Sequence, residues 1–172
     1  ISKKQTLNAG NSGTFARLCC GILARTDKTI KIVGDKSLSR RDFSRIVRPL
    51  QLFGMNFKSN NNRLPLILKG SKFLRPIYYE EKKGSSQVKS AIMLASLNTP
   101  GTTIIKSVPS RNHTENIFKH CIKVPIKIKK IKGYELIKVD GLKNFSSFNY
   151  SVPGDISSAA FFITLTILSK NS

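Results

Sequence analysis

The sequence GSSQVKSAIMLASL occupies residues 84–97 and joins a turn of small polar residues to an almost wholly apolar segment. The same arrangement occurs upstream, in NSGTFARLCCGILA at residues 11–24, and downstream, in GDISSAAFFITLTIL at residues 154–168. The first turn is separated from the second by 73 residues, and the second from the third by 72. A nearly constant spacing of this kind indicates an internal structural repeat.

The segments that follow the first two apolar stretches also correspond. Each copy continues with a β-rich stretch, Thr29–Val33 or Thr102–Lys106, and then with a turn and a helix that carries an apolar stripe. Each copy closes on extended segments that end near a glycine, Gly70 or Gly141. The predicted unit is therefore strand, helix, strand, helix, strand, strand over about 72 residues, present twice and begun a third time.

The first helix of each unit is apolar on nearly every side, which predicts burial on every side. This feature separates the chain from an ordinary α/β sheet with amphipathic covering helices. The expected fold class is mixed α/β, of the α+β kind, with buried helices.

The chain of 172 residues carries 30 Lys and Arg against 9 Asp and Glu, a formal net charge of +21. Such an excess has two interpretations, a nucleic-acid-binding module or a compositional bias toward residues with A/T-rich codons. The lysines are spread along the chain, and only residues 123–132 (KVPIKIKKIK) approach a run. Their alternation predicts a strand with one charged, solvated face. The pattern favours a basic surface over a nucleic-acid groove.

The hydrophobic fraction of 40% is high enough for a globular core. The longest nearly apolar run, residues 159–168, is shorter than the ~20 residues of a membrane span, so no integral membrane protein is indicated. The three cysteines, two of them adjacent, fit neither a disulfide framework nor a metal pair, which favours a reduced, cytoplasmic protein. His113 and His120 do not match a metal-ligand pattern, and no metal site is expected.

The small-residue turns have two possible roles. Ser12, Ser85 and their neighbours can be plain helix N-caps, or their unpaired N–H groups and the helix dipole can bind an anion. Arg41 and Arg111 occupy matching positions in the second turn of each unit, and arginine presents a fork of donors suited to phosphate and carboxylate. If the helices of each unit are parallel, their N-termini would converge on one anionic pocket. The pattern alone leaves both roles open.

Six motifs occur in a fixed order along the chain. They are NAGNSGT at 8–14 with Arg17, GDKSLSRR at 34–41, LPL at 64–66, SSQVKSA at 85–91, PSRNHTE at 109–115 and VPGDISSAA at 152–160. Through them the chain resembles, over essentially its whole length, the EPSP synthase (3-phosphoshikimate 1-carboxyvinyltransferase) family. The related transferases that act on UDP-N-acetylglucosamine share the repeat and are the alternative within this fold, but the serine and arginine motifs look like those of the shikimate enzymes.

The resemblance implies a transferase of the shikimate pathway, which leads to chorismate and the aromatic amino acids. Such an enzyme moves the enolpyruvyl group of phosphoenolpyruvate to the 5-hydroxyl of shikimate 3-phosphate and releases phosphate, with no metal and no organic cofactor. Its partners are these two small molecules, with no nucleic acid and no membrane, and the full-length enzyme is expected to be a monomer. The implied fold is the enolpyruvyl transferase fold, with repeated βαβαββ units, helices inside and sheets outside.

The resemblance also implies the site residues, position by position. Those expected to bind phosphoenolpyruvate are Asn11, Gly13, Arg41 and Gln87. Those expected to bind shikimate 3-phosphate are Ser85, Ser86, Gln87, Ser110 and Arg111. The proton-transfer carboxylates of the family would lie beyond Ser172, so no catalytic residue is expected within the chain.

The chain is accordingly expected to be an internal piece of a longer enzyme. Residues 1–151 would form part of the shikimate-3-phosphate-binding domain, with repeats at about 1–72 and 73–151. Residues 152–172 would form the crossover and the start of the other domain. Alone, this piece is expected to be inactive and to expose an apolar flank where a helix lacks a neighbour.

Overall fold

A computed structural model describes residues 5–142 and 147–169. The first unit contains β1 (Gln5–Asn8), α1 (Gly13–Ile22), β2 (Thr29–Val33), α2 (Lys36–Ser39), α3 (Ser44–Leu52), β3 (Asn56–Lys58) and β4 (Leu66–Lys69). The second unit contains β5 (Tyr78–Glu81), α4 (Ser86–Leu97), β6 (Thr102–Ser107), α5 (His113–Asn116), β7 (Ile126–Ile131) and β8 (Tyr134–Asp140), and α6 (Ile156–Leu168) follows. A 3-10 turn, Leu23–Arg25, extends α1, and a π-helical turn, Ile117–Cys121, extends α5.

The two units have the same sheet topology. Each builds a four-stranded sheet, in the order β1-β2-β4-β3 or β5-β6-β8-β7. In each sheet the first pair of strands is parallel and the other two pairs are antiparallel. The predicted βαβαββ repeat and the mixed α/β fold class are confirmed, and the short helix α2 is the one element of the first unit with no counterpart among the described residues of the second.

The glycines that end the units also correspond. A Cβ on Gly70 would collide with the carbonyl oxygen of Ala24, and a Cβ on Gly141 would collide with that of Thr99. The next residue in each case donates its N–H to the preceding helical segment, Ser71 to Ala24 at 2.9 Å and Leu142 to Leu97 at 3.0 Å. The predicted glycine ends are therefore points where the last strand of each unit meets the end of its first helix.

The core lies between the sheets and the helices. Alternate strand residues such as Ile30, Ile32 and Ile137 are buried, while Lys31 between the first two is exposed. This period of two is expected for sheets with one face on a core. Buried residues of both units form one continuous hydrophobic cluster, in which α1 packs against α4.

Burial differs among the three apolar helices. Helix α4 is buried over most of its length, as predicted. The same prediction is wrong for α1, where Phe15 is 43% and Ile22 54% exposed, and for α6, which has no buried residue. The reason is that nothing in residues 5–142 and 147–169 covers these faces. An exposed apolar flank is also what the sequence predicts for this piece on its own.

The basic run forms edge strand β7, as its alternation predicts. Its apolar side chains Ile128 and Ile131 are nevertheless 45% and 43% exposed, so both faces of the strand meet solvent. No helix within the described ranges combines the length and apolar character needed to cross a membrane.

Gly21 marks the closest approach of α1 to α4, because a Cβ there would collide with the carbonyl oxygen of Ala91. We expect Gly21→Ala to lower the free energy of unfolding by about 1–3 kcal/mol, since the buried backbone of α4 has little room to move. Gly154→Ala is the matched control, because a Cβ there meets no atom of residues 5–142 and 147–169 within 4 Å. Urea unfolding measures both variants, and equal loss of stability in the two would contradict the close contact.

Candidate functional site

The N-termini of α1 and α4 begin with equivalent serine caps. Ser12 Oγ accepts a hydrogen bond from the Phe15 N–H at 3.1 Å, and Ser85 Oγ accepts one from the Val88 N–H at 3.5 Å. The N-cap role considered for these serines is therefore confirmed for this pair. Ser86 follows the cap, in the first turn of α4.

A cleft of about 440 Å³ opens at the N-terminus of α4. One wall is the start of α4, the second is the start of α1, and the third is the segment that leads into α5. The lining residues are Thr14, Leu18, Gly84, Ser85, Ser86, Gln87, Ser90, Ser110, Arg111, His113 and Thr114. The structure thus brings together all five residues that the sequence assigns to shikimate 3-phosphate.

Ser110 lines this cleft with a buried hydroxyl. Its Oγ has no hydrogen-bond partner within residues 5–142 and 147–169. A buried polar atom without a partner is costly, so a ligand that supplies an acceptor would be favoured here. Arg111, the next residue, is exposed and lines the same cleft.

A hydrogen-bonded bridge joins the two units at the floor of the site. Gln87 Nε2 donates to Thr14 Oγ1 at 2.8 Å, and Arg17 Nη1 donates to Gln87 Oε1 at 3.0 Å. Both ends of the Gln87 amide are therefore fixed by α1. Arg17 also stacks on Phe43, with its guanidinium carbon 5.0 Å from the ring centroid.

Arginines concentrate beside the α1 turn. Arg17 and Arg41 approach Gly13 so closely that their Nη1 atoms lie 2.6 and 3.2 Å from the position of a Cβ there. Partial burial, and then repulsion from Arg41 and Arg45, lowers the pKa of the Arg17 guanidinium. Mutual repulsion of this kind would be relieved by a bound anion. Gly13 and Arg41 are not part of the cleft lining but are linked to Gln87 through Arg17.

Asn11 has a supporting position outside the cleft lining. Its side-chain amide donates to the carboxylate of Asp35, which caps α2 by accepting from the Leu38 N–H at 2.7 Å. The Leu38 N–H, followed by the Asn11 amide, holds the pKa of the Asp35 carboxyl below its usual range. Asn11 thereby joins the α1 turn to the start of α2, whose N-cap is Asp35.

The sequence motifs do not assign several residues that lie in or near the cleft to the site. Arg17 lies one helical turn after Gly13, and Ser90 one turn after Ser86, so an i, i+4 search from the turns could have found both. Ser90 and Thr114 share a hydroxyl hydrogen bond of 2.6 Å across the cleft walls. His113 also lines the cleft, and its spacing in the sequence does not indicate this position.

Comparison with known proteins agrees with these motifs. The family model for EPSP synthase (3-phosphoshikimate 1-carboxyvinyltransferase) matches residues 1–172. The chain is 43% identical to the 3-phosphoshikimate 1-carboxyvinyltransferase of Endomicrobium trichonymphae over 170 residues, which cover 98% of this chain and 38% of that protein. It is 41% identical to that of Streptococcus mutans, covering 99% of this chain and 40% of the relative.

A solved structure, EPSP synthase from Acinetobacter baumannii, superimposes with a TM-score of 0.78 at 35% identity. The match covers 92% of this chain and 35% of that one. The chain spans about two fifths of the length of the curated relatives that it matches. Since the family model matches every residue, the chain belongs to the EPSP synthase family.

Proposed function

We propose that the complete protein transfers the enolpyruvyl group of phosphoenolpyruvate to the 5-hydroxyl of shikimate 3-phosphate and releases phosphate. The observation that carries this proposal is the cleft that collects Ser85, Ser86, Gln87, Ser110 and Arg111 from two separate segments of the second unit. Family membership supports the reaction class.

The cleft suits a phosphorylated ligand. The Arg111 guanidinium provides charge, the Ser110 hydroxyl lacks a partner among the described residues, and the α4 N-terminus provides a positive dipole end. These groups would hold the 3-phosphate of shikimate 3-phosphate, with Ser85 and Ser86 beside it. Gln87, fixed by Arg17 and Thr14, would then present its amide between the two substrates.

Phosphoenolpyruvate would lie on the α1 side of the cleft. Gly13 leaves room for the guanidinium groups of Arg17 and Arg41, and Asn11 holds the turn in place through Asp35. In the reaction the shikimate 5-oxygen loses its proton and adds to the central carbon of phosphoenolpyruvate, while the methylene carbon of phosphoenolpyruvate gains a proton. The resulting methyl group then loses a proton, which restores the double bond as the bond from the central carbon to the phosphate oxygen breaks. These residues would position the substrates and neutralise their charge; we place the proton-transfer groups outside residues 1–172.

We also propose that residues 1–151 form part of the shikimate-3-phosphate-binding domain and that residues 152–172 lead into the other domain. The two complete βαβαββ units and the separate, exposed α6 support this division. We propose a monomeric cytoplasmic enzyme with no nucleic-acid partner. A gel shift at ~50 mM salt tests the absence of a nucleic-acid partner, and we expect no shift. A nucleic-acid-binding protein of this charge would bind strongly at that salt concentration.

Phosphate release by the complete protein tests the proposed function. We expect release only when phosphoenolpyruvate and shikimate 3-phosphate are both present. Replacement of shikimate 3-phosphate by UDP-N-acetylglucosamine should abolish the release. Release with the nucleotide sugar, or with phosphoenolpyruvate alone, would contradict the proposal.

A further inference from the structure

A buried lysine lies directly under the cleft. Lys89 lies two residues after Gln87 on α4, and its side chain is 0% exposed. Its Nζ lies 2.5 Å from Glu115 Oε1, in α5, and 3.9 Å from Glu135 Oε2, in β8. The side chain of Glu115 is itself only 3% exposed. A charged pair is therefore enclosed in a core that is otherwise mostly apolar.

Such a pair is a poor source of stability. Removing two charges from water is costly, and buried ion pairs can often be replaced by apolar residues of similar volume with no loss of stability. Removal of one partner, in contrast, leaves an uncompensated buried charge. The Lys89–Glu115 pair is therefore better explained by what it orients than by how much it stabilises.

The residues next to the pair form the cleft walls. Ser90 follows Lys89 and Thr114 precedes Glu115, and their hydroxyl groups share a hydrogen bond of 2.6 Å. Both hydroxyl residues line the cleft. The ion pair and the hydroxyl pair thus connect α4 to α5 at two successive positions, immediately below the ligand-facing surface.

The α5 wall has few anchors of its own. Helix α5 has four residues before the π-helical turn, and within the described part of the chain its N-cap residue Asn112 makes no side-chain capping hydrogen bond. Ser110 and Arg111 lie just before it. Because Lys89 belongs to α4 and Glu115 to α5, their contact joins the two walls on which Ser86 and the Ser110–Arg111 segment lie.

We propose that Lys89 and Glu115 are positioning residues that hold the Ser110–Arg111 wall against the α4 N-terminus and so set the affinity for a phosphorylated ligand. This inference rests on the proposed function, because the ligand is taken to be shikimate 3-phosphate. The pair acts on the geometry of the cleft and does not touch the ligand.

The test compares the complete protein with the Lys89→Met/Glu115→Leu variant. We expect an unchanged or higher urea midpoint and a 10- to 100-fold higher dissociation constant for shikimate 3-phosphate, about the loss caused by a displacement of up to 1 Å. The KM for phosphoenolpyruvate should stay the same. The control variant Glu80→Leu/Lys106→Met removes a more exposed ion pair of 2.7 Å between β5 and β6, and it should leave ligand binding unchanged.

Other outcomes separate the two proposals. If the unchanged protein does not bind shikimate 3-phosphate, the proposed function fails. If the unchanged protein binds shikimate 3-phosphate and the double variant binds it equally well, only the positioning role fails. The positioning role also fails, alone, if the double variant loses affinity for both substrates and has a lower urea midpoint. Should the double variant not fold, Lys89→Met/Glu115→Gln replaces it, since it also removes both charges and keeps the shape of the Glu115 side chain. Unchanged affinity there would likewise overturn the inference.

Discussion

Arg111→Ala is expected to raise the dissociation constant for shikimate 3-phosphate about 10- to 100-fold, the range for loss of a hydrogen bond to a charged group. Arg111 lines the cleft beside Ser110, whose hydroxyl has no partner among the described residues, and a phosphate there would accept from both. Adding Ser86→Ala should weaken binding further, because that residue lies on the opposite wall. Calorimetric titration of the complete protein measures each affinity.

The control for this loss is Arg25→Ala. Arg25 is an exposed arginine in the 3-10 turn at the far end of α1, away from the cleft. The Arg25→Ala substitution removes the same charge from the protein as Arg111→Ala does, but it leaves the cleft unchanged. Equal weakening in both variants would show that net charge, and not the position of Arg111, governs binding.

Arg41→Ala is expected to lower kcat about 10²- to 10³-fold, the effect of removing one group that stabilises charge in a transition state. Arg41 lies beside Gly13 and Arg17 on the side of the cleft that we assign to phosphoenolpyruvate. Affinity for shikimate 3-phosphate alone should change little, because the residues assigned to it line the other walls. Steady-state kinetics and calorimetry together check this division.

The neighbouring Arg40→Ala provides the control for Arg41. Arg40 is also exposed, and its backbone, which alanine preserves, caps α2. We expect near-normal kcat for this variant. A normal kcat in Arg41→Ala, or an equal loss in the two variants, would contradict the role given to Arg41.

The repeat could be predicted from the sequence because it rests on local signals. Small polar turns, apolar helices and β-rich stretches recur at about 72 residues, and each signal is contained within a few positions. Burial of the helices could not be predicted in the same way. Helices α1 and α4 have similar apolar patterns, but Phe15 on α1 is exposed while most of α4 is covered by surrounding elements.

The residues that line the cleft could be predicted only in part, because some of the contacts that assemble them are long-range. Ser86 and Arg111 lie in recognisable motifs, whereas the bond between Arg17 and Gln87 joins residues 70 positions apart. The burial of Lys89 is harder still to predict, because lysine is almost never fully buried unless it is paired. Its partner Glu115 lies on another helix, and nothing in the spacing of the two indicates the contact.

The most direct test of the phosphate cleft is calorimetric titration of the complete protein with shikimate 3-phosphate and with shikimate, which lacks the phosphate. We predict that the phosphate strengthens binding at least about tenfold, as one good charge-assisted contact would. In Arg111→Ala most of this difference should disappear. Equal affinity for the two ligands in the unchanged protein, or an undiminished difference in the variant, would contradict the assignment of the cleft.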